Sequence, residues 1–156
     1  MKELQALFNQ DNGTGRVQQI GGAGLSAMGR HLEAWYRKLP SFFTDSLSPN
    51  VVSWSFNDAP TGNPGGTDGA VFACYGTPSF GAVPWNYGTY TWHTGRDTYD
   101  KVVFDDLKHN ATLAAMLAYL ASEDPEFISR ERCPGQWPEG WPANCGKAPR
   151  KTLPRL

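Results

Sequence analysis

Leu4-Gln5-Ala6-Leu7-Phe8-Asn9-Gln10-Asp11-Asn12-Gly13-Thr14-Gly15 is the stretch on which the reading of the fold turns. Leu4 to Phe8 reads as a short buried strand, and Asn9 to Gly15 is a run of turn formers that ends it. In α/β proteins, polar residues just beyond the carboxyl end of a strand are where ligands bind. Working outward, Leu25, Met28, Leu32, Trp35 and Leu39 recur at intervals of three and four. That spacing predicts a helix over 23–39, stopped by Pro40. The stripe reads as core, and His31 beside it as a surface or edge histidine.

Val51 to Phe56 reads as another strand, followed by a Gly/Pro/Asn loop to Gly66. Asp68 is predicted to cap a short helix through Cys74 and Tyr75. Pro78 to Val83 is a further short strand. The aromatic-dense run Trp85 to His93 fits either a loop lining a cavity or plain core. The clearest helix spans Asp105 to Ser122 and is rich in alanine and leucine. Its predicted apolar stripe is Leu107, Ala111, Ala114, Leu117 and Ala121, widened by Leu113 and Leu120. Asp105 and Asp106 suit the positive end of its dipole. Asn110-Ala111-Thr112 matches a glycosylation acceptor but lies mid-helix, so it is discounted. Strands alternating with helices predict an α/β layered fold.

Composition bounds the function. The chain has 156 residues, the size of one ordinary domain. Lys plus Arg is 14 against 15 for Asp plus Glu, so no basic excess exists to release counterions, and nucleic acid is not an expected partner. A hydrophobic fraction of 40% with 19% charged residues is globular rather than disordered. No apolar run approaches the roughly 20 residues of a membrane span. The sequence opens on Met1-Lys2-Glu3 and enters the first strand at once, without export-signal features. Cys74 sits in an apolar stretch and reads as a small buried hydrophobe. Cys133 and Cys145 could bridge in an oxidising compartment. From Pro125 onward the chain turns irregular and proline-rich, with Lys147, Arg150, Lys151 and Arg155 near its end. Two regions are therefore expected, a folded unit over 1–125 and an extension over 126–156.

No Gly-x-Ser-x-Gly elbow, phosphate loop or dinucleotide fingerprint is present. What remains is metal chemistry from Asp and His. Asp11 directly follows a strand, and His93 closes the aromatic run. A carboxylate and an imidazole suit zinc. A ligating imidazole needs its other nitrogen held, and Asp97 is near enough in sequence to do it. The plain alternatives are a turn carboxylate at Asp11 and a buried, hydrogen-bonded histidine at His93.

Trp92-His93-Thr94-Gly95-Arg96-Asp97-Thr98-Tyr99-Asp100-Lys101 resembles the last zinc-ligand motif of the co-catalytic zinc exopeptidases, His-Thr/Ser-x-x-Asp-Thr/Ser before a long helix. That group includes leucyl aminopeptidases and carboxypeptidase Q. Asn9-Gln10-Asp11-Asn12-Gly13-Thr14-Gly15 is similar to its strand-borne Asn-x-Asp segment. Gly65-Gly66-Thr67-Asp68 through Phe72, with Gly76-Thr77-Pro78, resembles its Gly-Ser-Asp…Gly-x-Pro segment. The three stand in the family's order over about residues 4 to 125.

The resemblance implies a three-layer α/β/α fold and two zinc ions. Together these lower the pKa of a bridging water and polarise a scissile carbonyl. Asp11 would bind one zinc and His93 the other, with Asp97 as a supporting partner. Gly66, Asp68, Tyr87 and Tyr90 would border a pocket for a peptide or dipeptide. The family's His-x-Asp and Glu-Glu motifs, which carry the bridging ligand and the general base, do not occur in these 156 residues. Gly69 stands where the family commonly has His or Tyr.

The chain is thus expected to be the C-terminal half of a catalytic domain and inactive alone. Its strand edge would pair with the other half or with a second copy. Two other functions on this fold fit the motifs, a transferrin-receptor-like binding protein and a single-zinc glutaminyl cyclase. The family's habit favours export, and a Cys133–Cys145 bridge would suit it.

Overall fold

The computed structural model describes residues 3–11, 13, 15–22, 25, 27–45, 67–84 and 91–131. Their elements are β1 (Leu7–Asn9), β2 (Val17–Gly22), α1 (Met28–Tyr36), α2 (Ser41–Thr44), α3 (Asp68–Cys74), β3 (Ser79–Pro84), a 3-10 turn at Tyr99–Lys101 and α4 (Phe104–Ser122). The sheet order is β1-β3-β2. β1 runs parallel to β3 with Phe8 opposite Phe80, and β2 runs antiparallel to β3 with Ile20 opposite Ala82. This is a mixed α/β unit, as the alternation of elements predicted. The expected strand at Val51 to Phe56, the tyrosines Tyr87 and Tyr90, and both tail cysteines lie outside the described residues.

The side chains of a strand alternate between faces. Phe8 and Phe80 therefore share one face, and Asn9 and Ser79 point to the other. Phe8 stacks on Phe80 with ring centroids 5.3 Å apart, and Trp35 of α1 meets both edge-on at 6.0 and 5.7 Å. Met28, Leu32, Leu113 and Leu117 complete this core from α1 and α4. On the opposite face, α3 lies over β1 and β3. At Gly69 of that helix, an added Cβ would stand 2.8 Å from Ser79 Oγ and 3.4 Å from Asn9 Cβ.

The first strand sits slightly later than Leu4–Phe8, because it pairs only where β3 runs beside it. The first helix is shorter than 23–39. It ends at Tyr36, and the N–H groups of Lys38 and Leu39 turn back to carbonyls three residues earlier, ahead of Pro40. Pro40 has no N–H to continue the ladder. β2 was not anticipated, since Gln18, Gln19, Gly21 and Gly22 interrupt the alternation that marks a strand. A Cβ at Gly22 would overlap Met28 Cε, so the end of that side chain would have to shift to admit one.

α4 spans the predicted residues, but its buried face is rotated from the predicted stripe. His109, Asn110, Leu113, Leu117 and Ala121 face inward, while Leu107, Ala111 and Ala114 are exposed. Two polar residues turn inward because the fold provides for them. Asn110 bonds the backbone of β2. His109 packs 4.9 Å from Phe43 and 5.6 Å from Phe42, and burial holds its pKa below the ordinary histidine value.

His31 is likewise not at the surface but 3% exposed. Its Nδ1 lies 2.8 Å from Asp124 Oδ2, and Trp35 Nε1 donates to the same oxygen at 2.8 Å. A carboxylate that accepts both is what makes a buried histidine tolerable there. The segment just beyond α4 is held against the core. Ile128 is in the core, 1% exposed. Gln5 grips this segment with both ends of its amide, donating to the Glu126 carbonyl at 2.7 Å and accepting from the Ile128 N–H at 3.0 Å.

Candidate functional site

The parallel pairing of β1 and β3 brings their carboxyl ends to one edge of the sheet. The segments singled out in the sequence leave from that edge. Asp11 is two residues beyond the end of β1 and exposed. The chain that leads to His93 departs from the end of β3 at Pro84. The amino end of α3 is tied to the end of β1 by a hydrogen bond, Asn9 Nδ2 to Thr67 Oγ1, at 2.8 Å. This ties the strand end before Asp11 to a residue 58 positions later.

That bond also corrects the reading of Asp68. The helix cap is Thr67, in an extended conformation, and Asp68 is the first helical residue. The Thr67 hydroxyl is engaged by Asn9 and makes no cap bond to its own helix. Asp68 in the first turn is placed to favour the helix dipole and is exposed. Gly69 is buried beneath it. Gly69→Ala needs only a rotation of the Ser79 hydroxyl, whereas an imidazole must also displace Asn9. Gly69→His is therefore expected to cost about 1–3 kcal/mol, read as a lower urea midpoint than that of Gly69→Ala.

His93 is exposed, which removes its reading as a buried structural histidine. Its backbone has φ 57, the left-handed region that a non-glycine residue seldom occupies. A tight turn holds it there, with the Thr94 N–H and Oγ1 both donating to the Thr91 carbonyl at 3.0 and 2.8 Å. The ring stacks on Trp92 with centroids 4.3 Å apart. Asp97 follows in the next turn, its N–H donating to the Thr94 carbonyl at 3.2 Å. A left-handed conformation at a candidate ligand is the kind of local strain that marks functional turns.

Asp11 and His93 offer an oxygen and a nitrogen donor of the right type for zinc, both open to solvent. Among the described residues, no three His, Cys, Asp or Glu side chains gather as a metal-holding group. The described residues therefore do not make a complete metal centre. The apolar cavity of about 30 Å³ under α4, lined by Phe8, Ile20, Phe80, Leu113 and Leu117 among others, is too small for a peptide.

The model of peptidase family M28 matches residues 1–118, which include every segment just described. The chain belongs to peptidase family M28. Membership assigns a metallopeptidase-type, proteolytic function and agrees with the mixed α/β fold. No curated protein and no solved structure matches the chain. The M28 match ends inside α4, ahead of Asp124 and Ile128.

Sequence reasoning missed the residues that hold the M28 segments together, namely Asn9, Thr67 and Asn110. Asn9 and Thr67 lie within motifs quoted for other positions. Asn110 was seen only as a sequon, and its burial excludes that role in the folded chain.

Proposed function

We propose that this chain is the C-terminal half of the catalytic domain of a zinc-dependent M28 exopeptidase related to the carboxypeptidase Q-like aminopeptidases. In this reading the domain is a three-layer α/β/α sandwich, which is supported by α3 and the α1/α4 pair packing against opposite faces of the sheet. Asp11 and His93 are the ligands contributed here, one to each of two zinc ions. Asp97 steadies His93, and Gly66, Asp68, Tyr87 and Tyr90 border the peptide pocket. The observation that carries the reading is the family match over residues 1–118, with the three segments in the family's order.

The missing donors argue for a partner. The described residues fall short of three ligands, and no Glu-Glu pair in the sequence could serve as general base. The other half would add its strands beside β1, which among the described residues pairs with β3 on one side.

The purified 156-residue chain is expected to show no zinc-dependent hydrolysis of aminoacyl or dipeptide substrates. Turnover should appear on addition of a family segment that carries the His-x-Asp and Glu-Glu motifs, and vanish again in His93→Ala. Hydrolysis by the chain on its own would overturn the half-domain reading.

A further inference from the structure

We infer that Asn110 is a positioning residue, clamping the loop that carries Asp11 onto α4. The inference rests on the assignment of Asp11 as a ligand for its functional meaning, and on geometry for the clamp itself. Asn110 is 2% exposed in the middle of α4. Its Oδ1 accepts from the Val17 N–H at 2.9 Å, and its Nδ2 donates to the Gly15 carbonyl at 2.8 Å. A primary amide is the side chain that offers one acceptor and a donor side by side, so it can complement a backbone N–H and C=O two residues apart. Leu can do neither, and Ser would have to serve both groups from one atom on a shorter side chain.

One turn earlier on the same helix face, Asp106 Oδ1 accepts from Arg16 Nε at 3.0 Å. Gly15, Arg16 and Val17 are thus all held by α4. At its other end, the loop is fixed by the Asn9 to Thr67 bond at the amino end of α3. Asp11 sits between these two anchors, near the Asn9 end. Gln10 Nε2 reaches across the loop to the Gly13 carbonyl at 3.4 Å.

The helix that provides the clamp is also the one into which the His93 segment runs. His93 and Asp97 precede the short turn at Tyr99–Lys101, and α4 begins at Phe104. Through Asn110, the element following one candidate ligand sets the position of the segment bearing the other. The interaction contributes rigidity in a place where a merely core-filling residue would be apolar, as Leu113 and Leu117 are on the next two turns.

The test is amide hydrogen exchange and ¹⁵N relaxation on the full chain, in the wild type, Asn110→Leu and Asn110→Asp. In Asn110→Leu, the amides of Gly13 to Val17 should exchange at least about tenfold faster while those of Ile20 and Phe80 change little. Asn110→Asp keeps the acceptor for Val17, so it should restore protection of the Val17 amide and leave Gly13 and Gly15 loose. If the loop amides change only in step with Ile20 and Phe80, Asn110 is ordinary core and the clamp is refuted. The ligand assignment is read separately, by titrating zinc into the wild type together with a family segment that carries the His-x-Asp and Glu-Glu motifs. Zinc-dependent shifts at the Asp11 and His93 resonances support it, and resonances that the segment moves but zinc does not overturn that assignment without touching the exchange result.

Discussion

Trp35→Ala is expected to destabilise the chain by about 3–5 kcal/mol, a large share of a typical total of roughly 5–15 kcal/mol. Trp35 is 1% exposed and sits where the two aromatic strand residues and α1 converge. Truncation removes both edge-to-face contacts with Phe8 and Phe80 and leaves a cavity that the sheet cannot collapse into. It also removes the indole N–H that donates to Asp124. Trp35→Phe separates these contributions. It keeps most of the ring contact and loses the donor, so it should cost about 1–2 kcal/mol. Urea denaturation followed by far-ultraviolet circular dichroism reads both. Equal losses in the two variants would mean that the hydrogen bond, and not the aromatic packing, is what Trp35 contributes.

Asp124→Asn is the second large effect, and it depends on pH. Burial by itself pushes the Asp124 carboxyl up. The His31 ring, the Glu126 N–H and the Trp35 indole donate to it and outweigh that push, so its pKa lies below the ordinary value of 3.8. The folded value is depressed relative to the unfolded one. The carboxylate therefore contributes stability that is fully present above that ordinary value and is lost as the pH falls through the folded value. Charge-assisted bonds of this kind contribute about 1.5–3 kcal/mol each. The amide retains an acceptor oxygen, so Asp124→Asn should lose about 1–3 kcal/mol at pH 7. The gap between wild type and variant should narrow at pH 3. A gap of unchanged size at pH 3 and pH 7 would show that the charge of Asp124 is not what stabilises the pair.

What was legible in the sequence was whatever local pattern determines. Leu7 and Phe8 before a run of turn formers gave away β1, and Ala and Leu spacing gave away α4. What was not legible depended on partners far along the chain. His31 looks like an edge residue until Asp124 arrives beside it, 93 positions later. Asn110 looks like a solvent-facing polar residue until β2 needs a partner for its first N–H. Because Asn110 and its neighbour His109 are drawn inward, the buried face of α4 differs from the one that hydrophobicity alone selects. β2 escaped notice because Gln18, Gln19, Gly21 and Gly22 break its alternation, and the close approach of Met28 and Phe80 to Gly22 is something no local pattern encodes. At the candidate site, Asp11 and His93 stood out by resemblance to the family motifs. The Asn9 to Thr67 bond that joins two of those motifs shows only in three dimensions.

The strand order also has a consequence for how the chain can be made. β3 is the middle strand, yet it is the last of the three in sequence, and β1 and β2 have no ladder with each other. Among the described strands, neither β1 nor β2 meets its sheet partner until Ser79 to Pro84 has left the ribosome. Until then Phe8 and Ile20 have no Phe80 or Ala82 to pair beside. Closing those long separations first costs chain entropy and slows folding. The nascent chain thus carries Phe8 of β1 and Val17 and Ile20 of β2 without β3 through the translation of about sixty residues, the interval in which such segments are most prone to pair with the wrong neighbour.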